Sequence, residues 1–314
     1  MRITALFALL LLLCGLPVGT ASAFQPVYIM GSSSMGGTYY QLAGIIAEAV
    51  NDKVPGVRLA VQPTGGTAEN IENLEKGINQ FALTDSFAVM AYEGRDLFYE
   101  RPQSYLRAVV PLYPEVARIL VPADSAVRSL ADLAGRRVVI GRKGSGVLVT
   151  AQQILSASGL RADAIDAAYL GMGEGLLALS EGSVDAVLFV GPLGGGSAME
   201  QEILSRVRVL GLDEATVRKV VSSAPYWREV SIPAGTFPNQ TEALKTVGSW
   251  TFLACRFDVD DDIVHALSKT VYDEARAIGA YIPGAVTIEP GQVKELLIPL
   301  HDGAERFFRE AGVL

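Results

Sequence analysis

Val27-Tyr28-Ile29-Met30-Gly31-Ser32-Ser33-Ser34-Met35-Gly36-Gly37-Thr38-Tyr39-Tyr40 reads as a short apolar strand, a loop of glycines and hydroxyls, and the opening of a helix. The same sentence of residues recurs twice. Val57 to Gln62 alternates as a strand, Thr64-Gly65-Gly66-Thr67 follows, and Ala68 to Lys76 has helical spacing closed by Gly77. Arg137 to Gly141 is a strand, Gly141-Arg142-Lys143-Gly144-Ser145-Gly146 its loop, and Val147 to Ser158 a helix stopped by Gly159. Further strands are expected at Phe81 to Thr84, Ala168 to Leu170 and Ala186 to Val190. Strands that alternate with helices define an α/β fold with parallel sheets.

Two stretches break the alternation. Arg107 to Val121 is long and apolar and contains Pro111 and Pro114; Ser231 to Cys255 contains Pro233, Gly235 and Pro238. Both read as extended connections. Two crossings imply one α/β lobe inserted in another, with lobe 1 over 24–116 and 231–314 and lobe 2 over 117–230. Two lobes on two connections make a hinge, and the groove between them is a natural ligand site.

Met1 to Ala23 reads as an export leader, with Arg2 as its positive start, Ala5 to Leu13 as its apolar run, and Ala21-Ser22-Ala23 as its cleavage site. The run is shorter than the roughly 20 residues a membrane span needs. Cleavage after Ala23 is expected to leave a soluble periplasmic chain beginning at Phe24. A lipid anchor at Cys14 is disfavoured because Leu11-Leu12-Leu13 lacks small residues. The formal net charge of −8 argues against nucleic acid as a partner. Of two cysteines, only Cys255 would remain after cleavage, so no internal disulfide is expected.

Ligand chemistry is expected in the three loops. Glycine lets backbone approach a solute, hydroxyls cap helices, and helix N-termini favour anionic groups. The first loop approaches a phosphate-binding loop, but Gly37 stands where a lysine is needed. Arg142 or Lys143 offers a positive charge for an acidic ligand, with Arg142 favoured, unless the two form a solvated pair at the rim. Asp85, at the end of the third strand, suits a ligand amine or a solvated turn. Tyr39 and Tyr40 divide between core and ligand. Catalytic signals are weak: His265 and His301 are isolated, no metal-ligand spacing occurs, and Asp258, Asp260, Asp261 and Asp262 read as a helix N-cap region before Ile263. No cofactor or metal is expected, and the chain reads as a binder, not an enzyme.

Several motifs in order carry a family resemblance. They are Met35-Gly36-Gly37-Thr38-Tyr39-Tyr40, Gln62-Pro63-Thr64-Gly65-Gly66-Thr67-Ala68-Glu69-Asn70, Lys143-Gly144-Ser145-Gly146, Ile232-Pro233-Ala234-Gly235-Thr236-Phe237-Pro238 and Ile298-Pro299-Leu300-His301-Asp302-Gly303-Ala304-Glu305-Arg306. From about Val27 onward the chain resembles the TAXI family, the solute receptors of a subgroup of TRAP transporters. That resemblance implies a type II periplasmic-binding fold, a glutamate-like, glutamine-like or dicarboxylate ligand, and delivery to a membrane-embedded TRAP permease; a monomer is expected. Its ligand residues would be Ser33, Ser34, Thr38, Tyr40, Thr67 and Ser145, beside Asp85, Ser86, Arg142, Gly144 and Gly146. The chain departs from the family at Asp85-Ser86-Phe87, where Gln-Ser-Asp is usual, and at Val147, where threonine is usual.

Overall fold

A computed structural model describes residues 26–314 except 96, 97, 99, 194–201 and 282–289. The leader at Met1 to Ala23 lies outside the described residues. In chain order the elements are β1 (Val27–Gly31), α1 (Thr38–Lys53), β2 (Arg58–Gln62), α2 (Thr67–Glu75), β3 (Phe81–Asp85), α3 (Phe87–Glu93) and β4 (Leu106–Pro122). Then come β5 (Arg137–Val139), α4 (Gly146–Ser158), β6 (Asp166–Ala168), α5 (Met172–Ser180), β7 (Ala186–Gly191), β8 (Val207–Leu210), α6 (Glu214–Ser223) and β9 (Arg228–Ile232). The chain closes with β10 (Leu244–Arg256), α7 (Asp261–Asp273), α8 (Ala275–Tyr281) and α9 (Asp302–Glu310).

The described strands join in one sheet, ordered β2-β1-β3-β10-β4-β7-β5-β6, with β8 added to β4 and β9 to β10. β1 pairs in parallel with β2 and β3, and β5 with β6 and β7. β4 and β10 run antiparallel from Leu106↔Arg256 to Val116↔Gly248. Beyond that point β4 pairs with β7 and β8, while β10 pairs with β9. β10 borders the first parallel set through β3, β4 borders the second through β7, and their mutual pairing joins the two lobes. The prolines expected to interrupt the first connection sit inside β4. Pro114 faces Trp250, and Pro111 flanks a register shift between Thr251 and Phe252, which is where a strand accommodates a missing N–H.

The second connection differs from expectation. Ser231 to Cys255 is a hairpin, with β9 returning through a turn to β10. Gln240 holds the turn: its Nε2 donates to Pro233 O at 2.9 Å. Ile232 and Phe237 are buried with Val116, Leu120 and Leu176, so the hairpin packs on the inserted side of Ser231. Pro233, Gly235 and Pro238 shape this turn instead of an extended path.

One apolar cluster fills the first lobe between α1, α7, α9 and the sheet, around Leu42, Ile46, Phe81, Leu253, Val264 and Phe308. A second cluster is continuous across both lobes, from Ile71 and Met90 on α2 and α3 to Ile154 on α4 and Val217 on α6. The two lobes thus share a buried floor behind the groove. Cys255 is fully buried within β10, as its apolar neighbours imply. Asp260 caps α7, accepting from Asp262 N and Ile263 N. His301 caps α9, its Nδ1 accepting from Gly303 N at 3.2 Å.

Candidate functional site

The glycine–hydroxyl loops converge on one cleft. Its cavity is about 110 Å³, room for several water molecules and hence for a solute of amino-acid size. The first wall carries Ser33, Ser34, Thr38, Tyr39, Gly66, Thr67 and Asp85; the opposite wall carries Arg142, Ser145, Gly146 and Gly171; Tyr113 and Glu115 come from the connecting strand β4. Parallel βα units put every one of these loops at the carboxyl ends of their strands, where such folds bind ligands.

Helix starts dominate the walls. Thr38 opens α1, Thr67 opens α2, Gly146 opens α4 and Met172 opens α5, and all four residues line the cavity. The N-cap positions of α1 and α2 are Gly37 and Gly66, which supply no side-chain cap. Their positive dipole ends face the cleft, while Tyr40 N donates to Ser33 Oγ and Ala68 N to Gly144 O. α4 differs, since Ser145 Oγ accepts from Leu148 N at 3.2 Å.

Asn70 fixes the first wall. Its Nδ2 donates to Ser32 O and Leu83 O, both at 2.7 Å. Thr64 Oγ1 lies 2.8 Å from its Oδ1. One fully buried amide on α2 thereby ties the first loop, the second loop and β3 together. The lobes touch across the cleft. Ala68 N donates to Gly144 O at 3.2 Å. A Cβ placed on Gly146 would fall 2.0 Å from Asp85 Oδ2. The cleft is closed.

Of the residues expected at the ligand, Ser33, Ser34, Thr38, Thr67, Asp85, Arg142, Ser145 and Gly146 line the cavity, while Tyr40, Ser86 and Gly144 do not. Tyr39 turns inward instead of Tyr40, because the next residue of a helix points about 100° away. Tyr40 contributes its backbone, donating N–H to Ser33 Oγ at 3.2 Å. The Ser86 hydroxyl accepts from Trp250 N at 3.1 Å and secures β10. Gly144 serves through the carbonyl contact to Ala68. Arg142 is already engaged, with its Nη2 2.8 Å from both carboxylate oxygens of Glu174. That pairing, with Gly171 N–H, holds the Glu174 carboxyl below its usual range. Lys143 lies over the Tyr169 ring at 5.1 Å.

On the floor of the cleft, sequence reading placed Tyr40 where Tyr39 stands and missed Tyr113 and Glu115. Glu115 and Arg118 are the only charges in Ala108 to Val121, and such isolated charges in an apolar run were the available signal. Both are nearly fully buried, Glu115 at 5% and Arg118 at 2% exposure. The Arg118 guanidinium lies 4.2 Å from the Phe189 ring centre, a desolvated cation–π contact.

Acidic groups on this floor resist ionisation. Burial raises Asp85 to about 6, against the opposing effect of Phe87 N–H and the Thr67 hydroxyl. Asp85 Oδ1 accepts from Phe87 N at 2.8 Å. Burial and the neighbouring Asp85 raise Glu115 to about 8, with Thr251, Tyr39 and Arg118 acting the other way. The Tyr39 and Tyr113 hydroxyls are also pushed up, first by burial and then by Glu115. Tyr39, Tyr113 and Thr251 surround these carboxyls, yet none of the three hydroxyls makes a hydrogen bond of normal geometry. The floor is thus polar and buried. His265 and His301 lie at α7 and α9, and neither lines the cleft. Among the described residues no cluster of His, Cys, Asp and Glu could hold a metal.

A two-lobed α/β fold with two connecting strands and a closed cleft is the architecture of periplasmic solute-binding proteins. Known structures agree. A TctC solute-binding protein from Polaromonas is 15% identical, covering 93% of this chain and 100% of its own, with a TM-score of 0.52. An ancestral arginine-binding protein bound to arginine is 14% identical, covering 82% and 98%, with a TM-score of 0.51. Residues 30–312 match the model of the NMT1-like family, and the chain belongs to that family.

Proposed function

We propose that this chain is an exported solute receptor that captures a small acidic or zwitterionic molecule between its lobes and delivers it to a membrane permease. The observation that carries this reading is the closed cavity, walled by four helix starts and floored by buried carboxyls. The helix N-termini suit a carboxylate and Asp85 an amine, a pairing that favours glutamate, glutamine or a related dicarboxylate. The motifs at Met35 to Tyr40 and Gln62 to Asn70 support assignment to the TAXI receptors and a TRAP-type permease as partner. In this reading Ala23 is the last residue of a cleaved leader and the periplasm is the site of action. The lobes divide at Val116 and Gly248, where the long strands cross. The chain works as a monomer and binds without catalysis.

Capture is a shift from open to closed lobes, driven by ligand contacts available only when both walls meet. Amino acids and dicarboxylates are expected to raise the thermal midpoint of the full mature chain in a screen that also contains sugars and polyols. Stabilisation by uncharged compounds alone would defeat the electrostatic part of this reading.

A further inference from the structure

We propose that Asp85 and Glu115 act as one acidic pair that receives a ligand's ammonium group and releases a proton as it does so, making this receptor selective for amine-bearing acids over their deaminated counterparts. The inference rests on the receptor reading above and adds a ligand feature and a pH dependence to it.

Strand register puts the pair on one face. Asp85 on β3 and Tyr113 on β4 both lie opposite Thr251 of β10. Glu115, two residues beyond Tyr113 and opposite Ser249, shares that face. Both carboxyls border the cavity while being 6% and 5% exposed. Asp85 spends Oδ1 on Phe87 N–H and points Oδ2 across the cleft at Gly146. The hydroxyls of Tyr39, Tyr113 and Thr251 lie buried against Glu115 and one another, none in a hydrogen bond of normal geometry. A group with several N–H donors and a positive charge satisfies such acceptors; a second carboxylate there would face two acids.

The ionisable groups facing the pair are few. Tyr39 comes from α1, Tyr113 and Arg118 from β4, and the Arg142–Glu174 ion pair from the opposite wall. Arg118 offsets part of the negative charge from behind Glu115. Near neutral pH the free pair holds one proton, because burial keeps Glu115 protonated after Asp85 has ionised. An incoming ammonium favours the doubly ionised pair. The ammonium keeps its protons, the Glu115 proton leaves to solvent, and the site passes from net −1 to −2 plus the ligand's +1. Binding therefore tightens as pH rises toward the Glu115 value.

The stability of the ligand-free protein has the opposite sign. Carboxyls whose affinity for protons is higher in the folded chain contribute stability that is full below their unfolded range and is lost as pH rises through their folded range. For this pair the loss runs through about 6 and about 8. His301, held below its usual value chiefly by burial, acts in reverse, so Glu115→Gln is the control that isolates the pair.

Calorimetry on the full mature chain with L-glutamate and with glutarate, its deaminated counterpart, tests the proposal. Titrations at several pH values, each in two buffers of different ionisation enthalpy, count the protons released. L-Glutamate is expected to release close to one proton near neutrality, with its Kd falling by up to about tenfold per pH unit. Glutarate is expected to bind more weakly and release none. Glu115→Gln and Asp85→Asn should each abolish the release, with thermal midpoints showing that both variants fold. Glutarate binding as tightly as L-glutamate, or L-glutamate binding without proton release, overturns the proposal and leaves the receptor reading intact. Failure of both probes while another acid in the thermal screen binds also overturns it. If no solute in that screen binds at all, the receptor reading falls with it.

Discussion

Gly146→Ala is expected to weaken ligand binding by about 10- to 100-fold, the cost of one overpacked methyl of about 1–3 kcal/mol. The reason is the contact at 2.0 Å between the new Cβ and Asp85 Oδ2. Asp85 cannot easily give way, because Oδ1 is held by Phe87 N–H and the Thr67 hydroxyl supports the carboxylate. The clash exists only when the lobes meet. In an open state the methyl projects into solvent from the first turn of α4, where alanine is at least as good a helix former as glycine. The thermal midpoint of the ligand-free variant should therefore hold or rise while its Kd increases. Calorimetry beside a melting curve separates the two. A variant that binds as well as the parent would show that Gly146 and Asp85 do not close on the ligand.

Gly248→Ala should act on the fold itself, lowering stability by about 3 kcal/mol. A Cβ at this position would lie 2.3 Å from the Glu115 carbonyl oxygen and 2.9 Å from Val230 Cγ2. The first of these is backbone of the facing strand and cannot rotate away. Gly248 pairs with Val116 on one side and Arg228 on the other, so the clash sits where β4, β9 and β10 meet. Chemical denaturation is the measurement: the midpoint should fall with an unchanged slope. An unmoved midpoint would mean the long strands do not approach as closely as described.

The two glycines also show how much of the molecule is legible in its sequence. Gly146 stands in a loop between a strand and a helix, and that context alone marks it as a place of close approach. Gly248 stands in Lys245-Thr246-Val247-Gly248-Ser249-Trp250, which gives no local cue, since its neighbour is more than 100 residues away in Val116. The same division runs through the site. Ser33, Thr38, Thr67 and Ser145 are readable because strand–loop–helix order is local and helix N-termini fall at the end of each βα unit. Asp85 is readable as the residue that ends β3. Tyr113 and Glu115 are not, because they enter the cleft through the sidewise pairing of β4 with β10, a long-range register that no local pattern encodes. Tyr39 and Tyr40 are adjacent, and the choice between them depends on the rotation of α1 against the sheet. The hairpin at Ile232 to Leu244 was hidden for a similar reason. Its prolines fit an extended path or a turn equally well, and only the packing of Phe237 beside Val116 decides between them.

Native mass spectrometry after equilibrium dialysis against a mixed pool of small metabolites tests the central claim most directly. The account predicts a single small amine-bearing acid retained per chain, lost on unfolding and absent from Gly146→Ala. Retention of nothing, or of a molecule that Gly146→Ala holds equally well, would contradict capture between closing lobes.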